Sequence, residues 1–239
     1  MNGETNDIWV YLSASPLLHL TLTVLAYLAG DWLYRRSGRQ AIFNPVLIAV
    51  LALVGLLVVT DIPYESYFEG AQFVHFLLGP ATVALAIPLY RHFHRIRGSW
   101  LAIGVSLISG SLVAVVSAVG VGWLMGATRD TLVSLAPKSV TTPVAMGISE
   151  KLGGLPSLTA VLVILTGILG AMMGSGLLKL LRIRDQRAVG LAMGVASHGI
   201  GTARALQLGE LAGAFSALAM GLNALATAIL VPLLFRLFG

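Results

Sequence analysis

Residues 137–143 contain polar side chains that together form a candidate binding site for a small anion. These side chains are Lys138, Ser139, Thr141 and Thr142. A charged side chain is costly in hydrocarbon, so Lys138 should face protein or water. The flanking prolines break a helix, since each removes an amide donor. We therefore predict a polar nest in which freed N–H groups, hydroxyls and an ammonium bind an anion at a half-helix terminus. The alternative is a surface loop with Lys138 among lipid headgroups.

Residues 196–204 form a second candidate segment. Its polar side chains are Ser197, His198, Thr202 and Arg204. The charge of a histidine changes near neutral pH, so His198 is a candidate for proton coupling or gating. The planar guanidinium of Arg204 suits a carboxylate. The glycines of this segment also fit simple close packing of helices, and the histidine also fits a plain hydrogen bond to backbone.

The two candidate segments occupy similar places in a predicted internal repeat. A shift of 60 residues (210 − 150) superposes Glu150 on Glu210 and matches several small residues nearby. Repeat units 131–181 and 188–237 would be inverted copies, a recurrent transporter plan. Chance matches in a chain rich in Ala, Leu and Gly are the alternative. We assign the two glutamates a coupling or gating role, and keep Asn44 as a minor site candidate that would otherwise cap a helix.

Composition places these segments in a membrane protein. The 239 residues are 57% hydrophobic and 10% charged, whereas soluble domains carry about 25% charged residues. Basic residues lie in short runs between apolar stretches, which argues against nucleic-acid binding despite the net charge of +5. The absence of cysteine excludes disulfides and thiolate metal sites. No nucleotide-binding or protease motif is found, so we expect no enzyme activity, cofactor or metal.

Hydropathy predicts an all-α, polytopic membrane helix bundle of about 7–8 elements in a single domain, residues 1–239. Two of the elements, 131–150 and 188–208, are interrupted by Gly, Pro and polar residues and are predicted to be broken or re-entrant. The remaining elements have the length of membrane spans. These clear spans are expected at 16–34, 45–60, 73–90, 100–125, 156–181 and 211–237.

Loop charges predict the orientation. Basic loops at 35–39 and 91–97 should be cytoplasmic and the acidic loop 61–69 outside, which places the amino terminus outside. The amino terminus has no basic region typical of a cleaved signal peptide. The basic loop 179–187 falls inside only if 131–150 enters and leaves on one side, which we favour. A complete, proline-kinked helix that violates the charge rule once is the alternative.

Several strings along the chain resemble one bacterial membrane family, the LrgB/CidB family. The strings are Asn44-Pro45, the segment 76–90, Lys-Ser-Val-Thr-Thr-Pro at 138–143, Ser149-Glu150, Gly153-Gly154, Thr166-Gly167-Ile168 and Ser-His-Gly-Ile-Gly-Thr-Ala at 197–203. The resemblance covers the chain from about residue 40 onward. It implies the bacterial cytoplasmic (inner) membrane and a small LrgA/CidA-type membrane partner.

The resemblance implies two functional hypotheses. Bacterial members are named for a holin/antiholin-like effect on murein hydrolase activity and autolysis, whereas a plant plastid relative is similar to a glycolate/glycerate translocator and bacterial pairs are linked to pyruvate. The leading interpretation of the residues is a secondary transporter of small monocarboxylates, coupled to protons. The alternative is a holin/antiholin-like protein, and a small-anion channel is a third possibility. We also expect a homodimer.

Overall fold

The computed structural model describes residues 15–38 and 40–238, and within these residues all regular secondary structure is helical. This confirms the predicted all-α membrane bundle. The amino-terminal residues Glu4 and Asp7 and the loop residue Arg39 lie outside the described part, so the predicted orientation of the amino terminus stays a prediction. The chain divides into two compact units, Met1–Ala84 and Leu85–Gly239, and the single-domain assignment stays a prediction.

The described residues of the first unit form four helices and a short 3-10 turn. Gly30 and Gly70 lie where helices touch, because a Cβ at either would collide with the backbone of a neighbouring helix. The Thr23 hydroxyl lies 2.9 Å from the Tyr67 hydroxyl, across the contact between the helices Pro16–Arg36 and Tyr64–Phe76. The helices are α1 (Pro16–Arg36), α2 (Pro45–Thr60), α3 (Tyr64–Phe76) and α4 (Leu78–Ala84), with the 3-10 turn at Ala41–Phe43.

The second unit contains both candidate segments. Its three long helices, α7 (Trp100–Leu124), α10 (Pro156–Leu180) and α12 (Glu210–Phe238), have 25, 25 and 29 residues. Each is long enough to cross the hydrocarbon of a bilayer, about 30 Å. The helices are α5 (Ala86–Arg91), α6 (Phe93–Gly98), α7 (Trp100–Leu124), α8 (Arg129–Leu135), α9 (Thr142–Lys151), α10 (Pro156–Leu180), α11 (Gln186–Leu208) and α12 (Glu210–Phe238).

Five stretches of the described residues are long and apolar enough to cross a membrane. The expected span 45–60 is helical, but its 16 residues reach only about 24 Å. The expected span 73–90 falls in a longer apolar stretch, Tyr64–Arg91, which turns interrupt near Leu77 and Leu85. The five stretches are Pro16–Arg36, Tyr64–Arg91, Trp100–Leu124, Pro156–Leu180 and Glu210–Leu237.

The first interrupted element, 129–151, folds back on itself. It consists of α8, a proline-containing break and α9, and we call it hairpin 1. The amide of Leu155, just past its second arm, donates to Ser134 Oγ in its first arm at 2.8 Å. A Cβ at Gly154 would also lie 2.8 Å from Val133. Because the chain after the second arm returns to lie beside the first arm, the structure favours the re-entrant interpretation over a complete helix.

The second interrupted element, α11, is also a hairpin, which we call hairpin 2. Its backbone leaves helical geometry at Ser197 (φ −133°, ψ 15°) and His198 (φ 41°, ψ −131°). A Cβ at Gly209, just past the end of the hairpin, would lie 3.0 Å from the Gln186 side chain at its start. The two arms touch at Gly201 and Met193, on either side of the break. The chain therefore enters and leaves this element at the same end.

The two hairpins enter the second unit from opposite faces. Arg187 Nη1 donates to Ser99 Oγ at 3.3 Å, and Arg91 forms an ion pair with Glu210 at 3.1 Å. These contacts bring the start of α7 and both ends of hairpin 2 to one face. Hairpin 1 follows the far end of α7 and lies at the other face. The basic loops 91–97 and 179–187 thus share a face, as the charge rule requires, and the arrangement is the one expected of inverted repeats.

Glycines allow hairpin 2 to pack closely against α12. A Cβ at Gly190 would collide with the carbonyl oxygen of Ala212, and one at Gly194 with that of Ser216. The two glycines are four residues apart, so they lie on one helix face, as in the small-residue contacts that let membrane helices approach closely. The glycine-packing interpretation of this region therefore accounts for Gly194.

We expect Gly194→Ala to destabilise the second unit by about 1–3 kcal/mol, because the added methyl group must push α12 away. The measurement is the thermal unfolding midpoint of the detergent-purified protein. Gly176→Ala is the matched control, since nothing lies within 4 Å of its Cβ position. Equal midpoints for the two variants would contradict the described packing.

Candidate functional site

The breaks of the two hairpins meet at one asparagine on α12. Asn223 Nδ2 donates to the carbonyl oxygen of Ser139 in hairpin 1 at 3.2 Å and to that of Val195 in hairpin 2 at 3.1 Å. Asn223 is fully buried and lies about 20 Å from either end of α12. The structure therefore brings the two predicted segments together at a common point midway along a membrane-spanning helix.

Asn223 is also connected to α7. The hydroxyl of Ser111 donates to Asn223 Oδ1, and the Thr227 hydroxyl lies 3.5 Å from the same oxygen. Ser111 is 1% exposed and lies near the middle of α7. The amide thus ties both hairpin breaks to two long helices. Fully hydrogen-bonded polar networks of this kind favour one arrangement of a buried core.

Lys138 provides the positive charge of the site. It is half-buried, and its Nζ lies 3.3 Å from Ser139 Oγ. Its neighbour Ser139 and Val195 of hairpin 2 bond the same Asn223 amide, which places Lys138 beside the meeting point of the two tips. Thr141 and Thr142 follow at the amino terminus of α9, a helix of 10 residues whose first N–H groups have no partners within the helix. This combination of ammonium, hydroxyl and N–H donors suits an anion.

The tip of hairpin 2 is held by α10. His198 Nε2 lies 2.9 Å from the carbonyl oxygen of Val163, and a Cβ at Gly167 would lie 2.6 Å from the ring. Ser197 Oγ occupies the space beside Gly170. Ser197 is 1% exposed, and its hydroxyl has no hydrogen-bond partner. A buried hydroxyl without a partner is costly unless another group pairs with it.

The outer end of hairpin 2 is ordered by a local ion pair. Asp185 caps α11 by accepting from the amide of Arg187 at 2.8 Å, and the two side chains form an ion pair at 2.6 Å. The hydrogen bond from the Arg187 side chain holds the pKa of Asp185 below its ordinary value. The pair is about half exposed, so we assign it a positioning role at the mouth of the hairpin and little stabilising energy.

A model of the LrgB-like family matches residues 23–237. The chain belongs to the LrgB-like family. No solved structure matches it. The match to the family model confirms the resemblance drawn from the sequence strings, and it covers both segments that the structure brings together.

Named relatives of this LrgB-like chain are similar over nearly their whole length. The holin-like protein CidB of Staphylococcus epidermidis is 34% identical over 95% of this chain and 98% of its own length. The antiholin-like protein LrgB of Bacillus mycoides is 30% identical over 94% of this chain and 98% of its own length. An uncharacterized protein of Bacillus subtilis, YwbG, is 38% identical over 91% of this chain and 96% of its own length. These names support the holin/antiholin-like alternative better than a monocarboxylate transporter.

Other predicted site residues lie away from the hairpin tips. Arg204 is six residues past the break, about 9 Å along the second arm, and donates to Gln207 at 2.9 Å. Glu150 is exposed in the last turn of hairpin 1. Glu210 pairs with Arg91. Their predicted roles in substrate binding and gating stay predictions, and the contact that the structure gives Glu210 is at the outer face.

Two further predicted residues have structural contacts of their own. Thr202 Oγ1 donates to the carbonyl oxygen of His198 and lies 2.9 Å from Ser216 Oγ, so it supports the tip from within the core. Asn44 caps α2, accepting from the amides of Val46 and Leu47 at 2.9 and 3.2 Å. The helix-cap alternative accounts for Asn44.

The sequence interpretation missed the residue at the centre of the site. Asn223 lies in the expected span 211–237 and Ser111 in the expected span 100–125. Both spans were predicted from hydropathy alone, and no role was assigned to either residue. The available signal was the amide itself, since a strongly polar side chain in the middle of an apolar span needs a partner inside the protein.

We expect Gly167→Ala to displace the His198 ring, because the new methyl group would overlap ring atoms that now lie against α10. The loss of the contact with Val163 should lower the thermal unfolding midpoint, by an amount equivalent to about 1–3 kcal/mol. In His198→Ala, which removes the ring, the same methyl group should cost much less. If Gly167→Ala is equally costly in both backgrounds, the ring does not occupy this position.

Proposed function

We propose that the chain acts in the bacterial cytoplasmic membrane as a holin-like or antiholin-like protein that modulates murein hydrolase activity and autolysis. The observation that carries this proposal is its similarity to relatives named CidB and LrgB over more than nine-tenths of the chain. The proposal includes the amino terminus outside, a homodimer and a small LrgA/CidA-type membrane partner.

The expected effect of this function is a change in the rate of autolysis. The chain would be expressed in a bacterium that lacks its own CidB- and LrgB-type genes, with and without a small LrgA/CidA-type partner. Lysis in mild detergent and murein hydrolase activity in gels would be compared with empty-vector cells. Gly176→Ala, at an open position, should behave as wild type. Unchanged lysis and hydrolase activity in both settings, at equal membrane levels, would refute the proposal.

A second candidate function is secondary transport of a small monocarboxylate of the pyruvate, glycolate or glycerate class. The specific observation in its favour is the meeting of two broken, oppositely inserted hairpins around Asn223, next to Lys138. A protein that only forms or restrains membrane lesions needs lateral packing surfaces and has no use for such a centre. Polar breaks at the middle of a membrane protein are tolerated where they line a cavity, and they occur at the binding sites of transporters.

In this candidate mechanism the carboxylate binds at the two hairpin tips. Lys138 neutralises its charge, and the hydroxyls of Ser139 and Thr141 donate hydrogen bonds to it. Thr142 contributes at the helix terminus, Arg204 attracts the anion from the second arm, and His198 carries the coupled proton. A holin-like phenotype is compatible with this mechanism, since movement of a metabolic acid across the membrane changes the conditions under which hydrolases act.

Lys138→Ala should abolish saturable uptake of labelled pyruvate, glycolate or glycerate into proteoliposomes, because the carboxylate loses its partner charge. Lys151→Ala is the matched control, since Lys151 is exposed at the end of α9. His198→Ala should remove the stimulation by an inward proton gradient. Uptake by Lys138→Ala equal to that of wild type would refute the site, and uptake that never saturates would indicate a channel.

A further inference from the structure

Breaks in helices expose two kinds of backbone group, and these attract opposite charges. The carbonyl oxygens before a break suit cations, and the N–H groups after it suit anions. Both hairpins have a break of this kind near the middle of α7 and α12. The charge preference of the site therefore depends on which backbone groups remain open to a solute.

Asn223 occupies carbonyl oxygens of both breaks. In a continuous helix the carbonyl of Val195 would accept from the amide of residue 199, but the backbone leaves helical geometry at Ser197 and His198. The carbonyl of Ser139 lies in the break before α9. Each of these oxygens instead accepts one of the two Nδ2 hydrogens of Asn223.

The orientation of the Asn223 amide is fixed from its other side. Its Oδ1 accepts from Ser111, and a primary amide has two donor hydrogens on nitrogen and acceptor sites only on oxygen. Reversing the amide would place an oxygen against two carbonyl oxygens. The nitrogen must therefore face the hairpins, and both of its hydrogens are used there.

Hydrogen-bond donors also lie at the tips. They include the Lys138 ammonium and the first N–H groups of α9, which has 10 residues. The hydroxyl of Ser197 is buried and faces Gly170 on α10. With Ser139 O and Val195 O paired to Asn223, two acceptors of the breaks are occupied, while the Lys138 ammonium keeps its positive charge beside them.

We infer that Asn223 is the residue that makes the site at the hairpin tips select anions over cations. It does so as a positioning residue, by pairing the carbonyls of both breaks and holding the tips together. This inference rests on the second candidate function, passage of a small carboxylate, and adds the source of its charge selectivity.

The test compares anion and cation uptake in proteoliposomes. In Asn223→Leu the side chain keeps a similar size but has no donor, so both carbonyls lose their partner. We expect labelled pyruvate uptake to fall about tenfold or more and uptake of labelled rubidium ion to rise, because one to two lost hydrogen bonds correspond to about that factor. Asn223→Ser, which keeps one donor, is the milder variant and should shift the ratio in the same direction.

Thr227→Val is the matched control. Thr227 is 2% exposed and lies one turn from Asn223 on the same helix, and its hydroxyl makes only a long, 3.5 Å contact with Asn223 Oδ1. The substitution of Thr227 by valine keeps the shape of the side chain and leaves both hydrogen bonds from Asn223 to the carbonyl oxygens in place. Its pyruvate-to-rubidium ratio should equal that of wild type.

A labelling experiment tests the coupling of the tips without transport. The chain contains no cysteine, so Val140→Cys would introduce its single thiol, at a fully buried position in the tip of hairpin 1. A water-soluble maleimide should react with this thiol slowly in the wild-type background. It should react about tenfold faster with Asn223→Ser, because the tip is no longer tied to α12.

The possible outcomes separate the inference from the function on which it rests. A lower pyruvate-to-rubidium ratio and faster labelling in the Asn223 variants support the inference. A wild type that takes up pyruvate, with an unchanged ratio in both variants, overturns the role of Asn223 and leaves the transport function intact. A wild type that takes up neither ion overturns transport and the selectivity with it, and the labelling rate then decides whether Asn223 holds the tips.

Discussion

In a bilayer, a helix that breaks must find partners for its backbone groups within the protein or in a cavity that it lines, because the hydrocarbon offers none. The second unit has two such breaks, and both depend on the amide of Asn223. One side chain supplies donors to two segments that are far apart in sequence and enter from opposite faces. The position of Lys138, the packing of His198 and the contact with Ser111 all follow from where this amide holds the tips.

Small residues provide the space that this arrangement needs. Gly167 and Gly170 on α10 receive the side chains of His198 and Ser197, and Gly190 and Gly194 on hairpin 2 approach the backbone of α12. The hairpin is therefore enclosed by glycine contacts on two sides. Because association of helices in lipid depends on close packing and hydrogen bonds, these contacts carry much of the stability of the unit.

Much of the architecture could be predicted from hydropathy and from proline. The long spans at α7, α10 and α12 are apolar and end near charged residues, and Pro137 and Pro143 mark the first break. The second break was expected only from glycine content, and its position at Ser197 and His198 depends on contacts with α10 that no local pattern encodes. The span expected at 73–90 is interrupted, since hydropathy reports burial in lipid and not helix continuity.

The candidate site was only partly predictable, for a related reason. Lys138, Ser139 and His198 stand out because their polarity contrasts with an irregular, glycine- and proline-rich setting. Asn223 lies in an uninterrupted apolar helix, and its importance comes from partners at positions 111, 139 and 195. A long-range hydrogen-bond pattern of this kind is a property of the fold. Arg204 is the opposite case. Its residue type suits a carboxylate and made it a candidate from the sequence, but the fold places it on the outer part of an arm, away from the tips.

The packing of hairpin 2 on α12 has a consequence for how the protein is made. The hairpin emerges from the ribosome before α12, yet Gly190 and Gly194 pack on α12, and the carbonyl of Val195 depends on Asn223 for a donor. Until α12 enters the bilayer, the hairpin cannot settle at membrane depth, because its broken backbone would be unpaired in lipid. Membrane insertion of this unit must therefore include a step in which α12 draws an already synthesised segment into place. A nascent chain that stalls before α12 presents an exposed polar hairpin to the quality-control proteases of the cell.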